Sequence, residues 1–157
     1  MPSQILPRIA CFALLALMSL ASVAEAGSTI IGGKRMSCSV AQVTWTSKYP
    51  YNGYTTPGRI YLNPQILGTY PAVTRQFIFL HECGHQFVGY DNRERAADCW
   101  AIRRGRQQGW LNQPALDRIC RSMQYWPGND VHLPGPARCA ALRSCFAAAS
   151  GRRRAGR

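Results

Sequence analysis

Residues 81–85 read His-Glu-Cys-Gly-His, which places two histidines four positions apart with a glutamate beside the first. On a helix, residues i and i+4 lie on one face about one turn apart, so His81 and His85 can present their imidazoles to one ion. Imidazole nitrogens bind Zn²⁺ at about 2.0–2.1 Å. The motif therefore predicts a helix on which His81 and His85 are zinc ligands.

Glu82 follows the first of these histidines and is turned about 100° from it around a helix. That position sets the carboxylate beside the ion rather than on it. Zinc lowers the pKa of a bound water towards about 7, so Glu82 can take its proton while the ion polarises a carbonyl and stabilises the oxyanion. Glu82 is thus the predicted catalytic base of a hydrolase.

A catalytic zinc ion needs a third protein ligand, with the fourth position open to water. Glu94 and Asp98 fall in the run Glu-Arg-Ala-Ala-Asp and share one helix face. If the chain reverses at residues 89–91, Glu94 comes level with His85, and Asp98 comes level with His81. Glu94 would then ligate zinc, and Asp98 would accept the second N–H of an imidazole.

Asp91 and Asp98 remain alternative third ligands. Asp91 lies ten residues after His81, where enzymes with the pattern H-E-x-x-H-x-x-G-x-x-(H/D) place theirs. That pattern needs a glycine at position 88, and this chain has Val88 there, with Gly89 one residue later. The sequence therefore favours Glu94.

The two motifs together, HECGH and then ERAAD, resemble those of the gluzincin zinc metallopeptidases, above all the HtpX and CAAX-prenyl-protease type. The run also looks like small exported bacterial proteins of this kind. The resemblance implies a zincin-like fold, peptide-bond hydrolysis, Glu94 as the third zinc ligand and Asp98 beside it. Those enzymes tend to carry a later His-Pro…Arg segment, which residues 131–138 match loosely, with Leu133 interposed.

The chain departs from that family in two respects. Only eight residues separate His85 from Glu94, fewer than in the membrane enzymes, and their membrane helices have no counterpart in this sequence. In gluzincins an edge strand before the active-site helix binds the substrate backbone, and residues 59–63 are the candidate here. His132 and Tyr61 are candidate donors to the oxyanion, and His132 is taken as the second catalytic residue.

The elements around these motifs are predicted from periodicity and turn residues, and together they indicate an α+β fold. We expect a short antiparallel sheet packed on the active-site helix, followed by a mostly helical, disulfide-linked half. The predicted single domain spans 27–149, with a basic disordered tail at 150–157. The predicted parts are a loose segment at 27–36, strands at 40–46 and 58–62 around a loop at 47–57, a helix at 72–88 between Pro71 and Gly89, a helix at 93–108 capped by Asp91 or Asn92, a helix starting at Asn112 to Pro114, a loop at 126–136 and a helix at 137–149.

Residues 1–26 have the features of a signal peptide: Arg8, an apolar run from Ile9 to Leu20, and Ala-Glu-Ala at 24–26. Export to the periplasm or the extracellular space is expected. The six cysteines after this leader are an even number, which indicates disulfides. One bridge is expected to join Cys120 to the last helix, and Cys83 is expected in a disulfide or the core.

The charge is strongly positive, with 19 Lys and Arg against 7 Asp and Glu, a net charge of +12. Arg103, Arg104, Arg106 and the arginines at 152–154 are candidate contacts to anionic envelope surfaces. Nucleic acid is not an expected partner, because no known nucleic-acid motif occurs. The apolar runs are too short for a transmembrane segment after leader removal.

The expected function is a zinc metallopeptidase acting on peptides or proteins. The alternative is an inactive, zinc-stabilised binding protein of the envelope.

Overall fold

The computed structural model describes residues 27–154, with side chains up to Ser150. Two small sheets precede a set of helices, and about half of the described residues are helical. The α+β class is therefore confirmed. The elements are β1 (Ser28–Ile31), β2 (Lys34–Ser37), β3 (Gln42–Trp45), β4 (Gly53–Thr56), β5 (Arg59–Leu62), α1 (Pro64–Leu67), α2 (Ala72–Val88), α3 (Glu94–Gln107), α4 (Gln113–Met123) and α5 (Gly135–Arg154).

The first sheet is a hairpin of β1 and β2, paired antiparallel from Ser28 opposite Ser37 to Ile31 opposite Lys34. The segment 27–36 was expected to be loose, and that prediction is wrong. Its two linking residues, Gly32 and Gly33, have φ of 58° and 78°. Successive positive φ angles are what a tight two-residue hairpin turn requires, and glycine supplies them without steric penalty.

The second sheet has the order β3-β5-β4 and is mixed, because β5 pairs parallel with β3 and antiparallel with β4. The predicted antiparallel pairing is present in β1–β2 and β4–β5, whereas β3 pairs parallel with β5. The loop predicted over 47–57 is wrong for residues 53–56, which form β4. A turn at Pro57 and Gly58, where Gly58 has φ of 74°, joins β4 to β5. Since β5 is hydrogen-bonded on both sides, it cannot be the substrate-binding edge strand predicted at 59–63.

The central helix α2 has the bounds that the sequence predicts: Pro71 precedes it, and Gly89, with φ of 93°, ends it. The following helix α3 begins at Glu94 with Arg93 at the N-cap position, so neither Asp91 nor Asn92 caps it. Asn92 instead takes a φ of 52°, a left-handed conformation that reverses the chain. The antiparallel arrangement of α2 and α3 follows from this reversal.

The last two helices differ from the prediction mainly at their ends. Asn112 caps α4 by accepting a hydrogen bond from the Ala115 N–H at 3.0 Å, as its position indicates. α5 runs from Gly135 to Arg154, so it starts two residues earlier and ends five residues later than predicted. An alanine-rich stretch without proline gives it no reason to stop at 149. The predicted signal peptide and the end of the predicted tail, 155–157, lie outside the described residues.

Three disulfides occur within residues 27–150: Cys38–Cys83, Cys99–Cys145 and Cys120–Cys139. The predicted bridge from Cys120 to the last helix is confirmed, and so is the disulfide of Cys83. They tie the β2–β3 connection to α2, α3 to α5, and α4 to α5. Such bridges fit an oxidising compartment. None of the helices in the described residues combines the length and hydrophobicity of a membrane-spanning helix.

Candidate metal centre

The site forms where α2 and α3 approach each other closely. A Cβ atom built on Gly84 would lie 3.1 Å from the carbonyl oxygen of Ala97 and 3.2 Å from its Cα. Ala97 is fully buried in this contact. A glycine facing an alanine thus lets the two helices pack backbone to backbone, which brings the acidic face of α3 against the histidines of α2.

Three metal-binding side chains converge at this contact: His81, His85 and Glu94. His81 Nε2 lies 3.2 Å from His85 Nε2 and 2.9 Å from Glu94 Oε2, while His85 Nε2 lies 3.3 Å from Glu94 Oε1. In the part of the chain that the structure describes, this is the group that can hold a metal ion. Asp91, the competing ligand, is exposed and is not part of it.

The second nitrogen of each imidazole is engaged, which decides where the protons are. His85 Nδ1 lies 2.9 Å from the carbonyl oxygen of Gly89, which can only accept, so Nδ1 carries the proton. His81 Nδ1 lies 2.8 Å from Asp98 Oδ1, a carboxylate, and carries its proton in the same way. In the neutral rings, both Nε2 atoms therefore present lone pairs to the Glu94 carboxylate. Lone pairs at such distances repel one another unless a cation, either a proton on His81 or a metal ion, lies between them.

The Glu94 carboxylate supports the same interpretation. Its Oε2 is buried and forms no hydrogen bond of good geometry with any described residue, although His81 Nε2 lies 2.9 Å away and His132 Nε2 2.7 Å away. His81 and Glu94 could therefore share a metal ion with His85. Tetrahedral ligands at about 2.0–2.1 Å from zinc stand about 3.3 Å apart. The donor set therefore fits a metal ion of this size.

The pKa values of these groups show that the cluster favours positive charge. Burial alone would lower the pKa of His81, but the carboxylates of Asp98 and Glu94 raise it to about 9. Burial alone would raise the pKa of Asp98, but His81 and Arg138 lower it to about 2. Burial also opposes the ionisation of Glu94, yet the three imidazoles facing it hold its pKa well below the usual range. Both carboxylates are therefore anionic at neutral pH.

Arg138 is a site residue to which the sequence assigned no role. The residue is only 6% exposed, and it donates two hydrogen bonds to Asp98, from Nε to Oδ2 at 2.9 Å and from Nη2 to Oδ1 at 2.7 Å. Nη2 also lies 3.3 Å from His81 Nδ1. Arg138 thus fixes the carboxylate that orients His81, a candidate metal ligand. The loose His-Pro…Arg segment was the signal that could have found it.

Glu82 is buried where the sheet meets α2, and Gly53 at the start of β4 makes room for it. A Cβ atom on Gly53 would lie 2.7 Å from Glu82 Oε1. Burial raises the pKa of Glu82, while the nearby His81 and His85 partly oppose that rise. Glu82 also lines a cavity of about 380 Å³. A buried carboxylate with a raised pKa, open on one side to a cavity, is suited to proton transfer.

His132 reaches the site from the loop between α4 and α5, with its Nε2 2.7 Å from Glu94 Oε2. Asn129 Oδ1 shapes this loop by accepting hydrogen bonds from the N–H groups of Val131 at 3.0 Å and His132 at 2.8 Å. Tyr61 is not brought to the site. Its ring packs in a cluster with Tyr49 and Tyr54, at centroid distances of 5.7 and 6.0 Å.

No protein-family model matches this chain, and neither a curated protein nor a solved structure matches it at a significant level. The functional assignment therefore depends on the geometry and chemistry of the described residues.

Proposed function

We propose that this protein is a zinc-dependent metallopeptidase of the gluzincin type with a zincin-like fold. His81, His85 and Glu94 hold the ion, and Glu82 is the catalytic base. The observation that carries the proposal is the convergence of three lone-pair donors beside a separate buried carboxylate that faces a cavity. Two imidazoles and one carboxylate are a ligand set of catalytic zinc in peptidases, whereas calcium and magnesium prefer oxygen ligands alone.

The chemistry divides between the ion and the chain. A Zn²⁺ ion held by His81, His85 and Glu94 would supply a Lewis acid to the scissile carbonyl and would make water acidic enough to react near neutral pH. Glu82 takes the proton from the attacking water on a carboxylate oxygen and returns it to the amine nitrogen as the C–N bond breaks. His132 donates from Nε2 to the developing oxyanion. Asp98 and the Gly89 carbonyl hold the imidazoles of His81 and His85 in orientation.

For the substrate backbone we propose β4 in place of β5. Within the described residues β4 is an edge strand, and it starts at Gly53, directly against Glu82. Gln86 of α2 fixes this strand, because its Nε2 donates to Thr55 Oγ1 at 2.6 Å and to the Thr56 carbonyl at 2.8 Å. An extended peptide added at the β4 edge would carry its scissile bond past the catalytic carboxylate.

The Glu82→Gln variant tests the proposed reaction. The variant removes the base but none of the zinc ligands, so it should keep its zinc and lose about 10²- to 10⁴-fold in peptide hydrolysis. Zinc content and cleavage of a casein substrate are measured on the same preparation. Unchanged cleavage by Glu82→Gln would overturn the role of Glu82.

A second candidate function is an inactive, zinc-stabilised binding protein of the envelope. The short distance from His132 Nε2 to Glu94 favours it, because His132 as a fourth ligand would close the site as in structural zinc centres. The His132→Ala variant distinguishes the peptidase from the zinc-stabilised binding protein. In a peptidase the variant keeps its zinc and loses turnover, whereas in a structural site it loses zinc affinity and thermal stability together.

Export to the periplasm or the extracellular space is part of the proposal. It is supported by the leader-like residues 1–26 and by the disulfides.

A further inference from the structure

The cavity beside Glu82 lies between two loops. One is the β3–β4 connection at residues 50–53, and the other is the α4–α5 connection, which contributes residues from Trp126 to Leu133. The side chains of α2 form its floor. At about 380 Å³ it lies at the small end of the range of ligand pockets, about 300–1,000 Å³. A cavity of this size takes one large side chain rather than a long segment of substrate.

The cavity has one charged wall and one apolar wall. The charged wall belongs to the catalytic group and includes His81, Glu82, His132 and Arg138. The apolar wall is largely aromatic, and the rings of Tyr70 and Trp126 meet edge to face at a centroid distance of 5.7 Å. Other apolar residues in the lining include Ile66, Phe77, Ile78 and Leu133.

Two of the charged or titratable groups of the cavity, Arg138 and His132, already contact carboxylates within the protein. Arg138 is bound to Asp98, and its guanidinium lies 5.8 Å from the ring centre of Trp126. His132 faces Glu94. A charged substrate side chain packed against the aromatic wall would lose its hydration there without a charged partner in that wall, which is unfavourable. An aromatic side chain gains both apolar burial and edge-to-face ring contacts.

We infer that this cavity is a specificity pocket for a bulky apolar, preferentially aromatic, side chain of a polypeptide, next to the bond that is cut. The inference rests on the proposed peptidase function and names its substrate class. Tyr51 and Leu133 also line the cavity and are exposed, so they extend its apolar surface to the mouth.

The first experiment compares peptides that differ only at one residue next to the cut bond: Phe, Ala, Asp or Lys, with the series made for each side of the bond. Zinc-loaded wild-type protein should cleave the Phe peptide with kcat/KM about 10- to 100-fold above that of the Ala peptide. The Asp and Lys peptides should be cleaved more slowly than the Ala peptide. Equal rates for all four peptides would overturn the pocket and leave the peptidase proposal standing.

Variants locate the preference in the cavity. Ile66→Phe fills the pocket from α1, so the advantage of Phe over Ala should fall to within about threefold while the Ala peptide is still cleaved. Tyr125→Ala is the matched control, because Tyr125 precedes Trp126 but is 88% exposed and does not line the cavity. It should keep the wild-type preference. Loss of the preference in Tyr125→Ala but not in Ile66→Phe would overturn the assignment.

Peptide binding measured without turnover tests the specificity pocket separately from the peptidase function. The zinc-loaded Glu82→Gln variant is titrated with the same peptides by isothermal calorimetry. Tighter binding of the Phe peptide, together with no cleavage of any peptide by the wild type, would overturn the peptidase and keep the pocket. Equal binding of all four peptides would overturn the pocket whether or not they are cleaved.

Discussion

The imidazole of His81 sits between two sets of partners, and its orientation controls the proposed metal site. Its Nε2 faces Glu94 and His85, while its Nδ1 is held by Asp98, which is held in turn by Arg138. Each partner fixes the next, so the donor atoms converge before any ion binds. The geometry of a ligand on α2 therefore depends on a guanidinium from α5.

Removing Arg138 should weaken this arrangement. In Arg138→Gln, Asp98 remains buried with one partner fewer, so zinc affinity should fall about 10- to 100-fold and the unfolding free energy by about 3–5 kcal/mol. Chelator competition and urea unfolding measure the two effects. The control is Arg143→Gln on the same helix, because Arg143 is 53% exposed and its pair with Asp117 at 3.0 Å should contribute less than about 1 kcal/mol. Equal effects of the two substitutions would contradict the role of Arg138.

The raised pKa of His81 predicts a pH dependence of the metal-free protein. Its folded pKa of about 9 lies above its ordinary value of 6.5, so the stabilisation by protonated His81 is fully present below pH 6.5 and is lost as pH rises through 9. The unfolding free energy of the metal-free protein should therefore fall across this range. His81→Asn is the control and should lack this fall. A metal-free wild type equally stable at both ends of the range would contradict the prediction.

At the scale of single residues, the sequence predicted those site residues that lie close together along the chain. The positions of His81, Glu82, His85, Glu94 and Asp98 follow from i, i+4 spacing and one reversal of the chain. Arg138 and Gly53 could not be predicted in the same way. Arg138 is separated from His81 by 57 positions, and only tertiary packing brings α5 and β4 to the site.

At the scale of elements, the disulfides hold the helices that carry the site. Cys83 directly follows Glu82 on α2, Cys99 follows Asp98 on α3, and Cys139 follows Arg138 on α5. Each covalent link is therefore one residue away from a side chain of the proposed active site. The links restrict the relative movement of α2, α3 and α5, on which the site geometry depends.

The bridge between α4 and α5 should therefore support metal binding as well as folding. Replacing Cys120 and Cys139 together by alanine should lower the unfolding free energy by about 2–4 kcal/mol. Since Arg138 is then held less firmly, zinc affinity should fall by up to about tenfold. Chelator competition is measured below the unfolding transition. A destabilised variant with unchanged zinc affinity would show that the bridge serves folding alone.

The helices were easier to predict than the strands. Apolar periodicity and Gly89 define α2 over its 17 residues, and Asn112 marks the start of α4. The strands have four residues each, too few for a clear alternation, and β4 lies among prolines and glycines that are typical of loops. The central position of β5 depends on its partners rather than on its own sequence, so the edge strand could not be identified.

At the scale of the whole molecule, the acidic residues are concentrated in the site. Glu82, Glu94 and Asp98 are used there, and the acidic residues left in the described part of the chain are Asp91, Asp117 and Asp130. The surface is therefore dominated by arginine. We propose that this surface binds anionic envelope components, with the arginines at 152–154 contributing.

Salt dependence tests this surface. The protein should bind vesicles that contain phosphatidylglycerol but not vesicles of phosphatidylcholine. Binding should weaken progressively as the salt concentration rises from 50 to 500 mM, because salt screens exposed charges over a Debye length of about 10 Å at 0.1 M. A chain ending at residue 149 should bind more weakly at every salt concentration. Binding that is insensitive to salt would exclude an electrostatic surface.

The most direct test of the central claim is the zinc content of the purified, disulfide-bonded protein, with Glu94→Gln and Asp91→Asn measured beside the wild type. We expect a single zinc ion per chain in the wild type and in Asp91→Asn, and loss of zinc in a Glu94→Gln variant that is still folded by circular dichroism. Absence of zinc from wild-type protein refolded with the metal supplied, or zinc retained by Glu94→Gln, would contradict it.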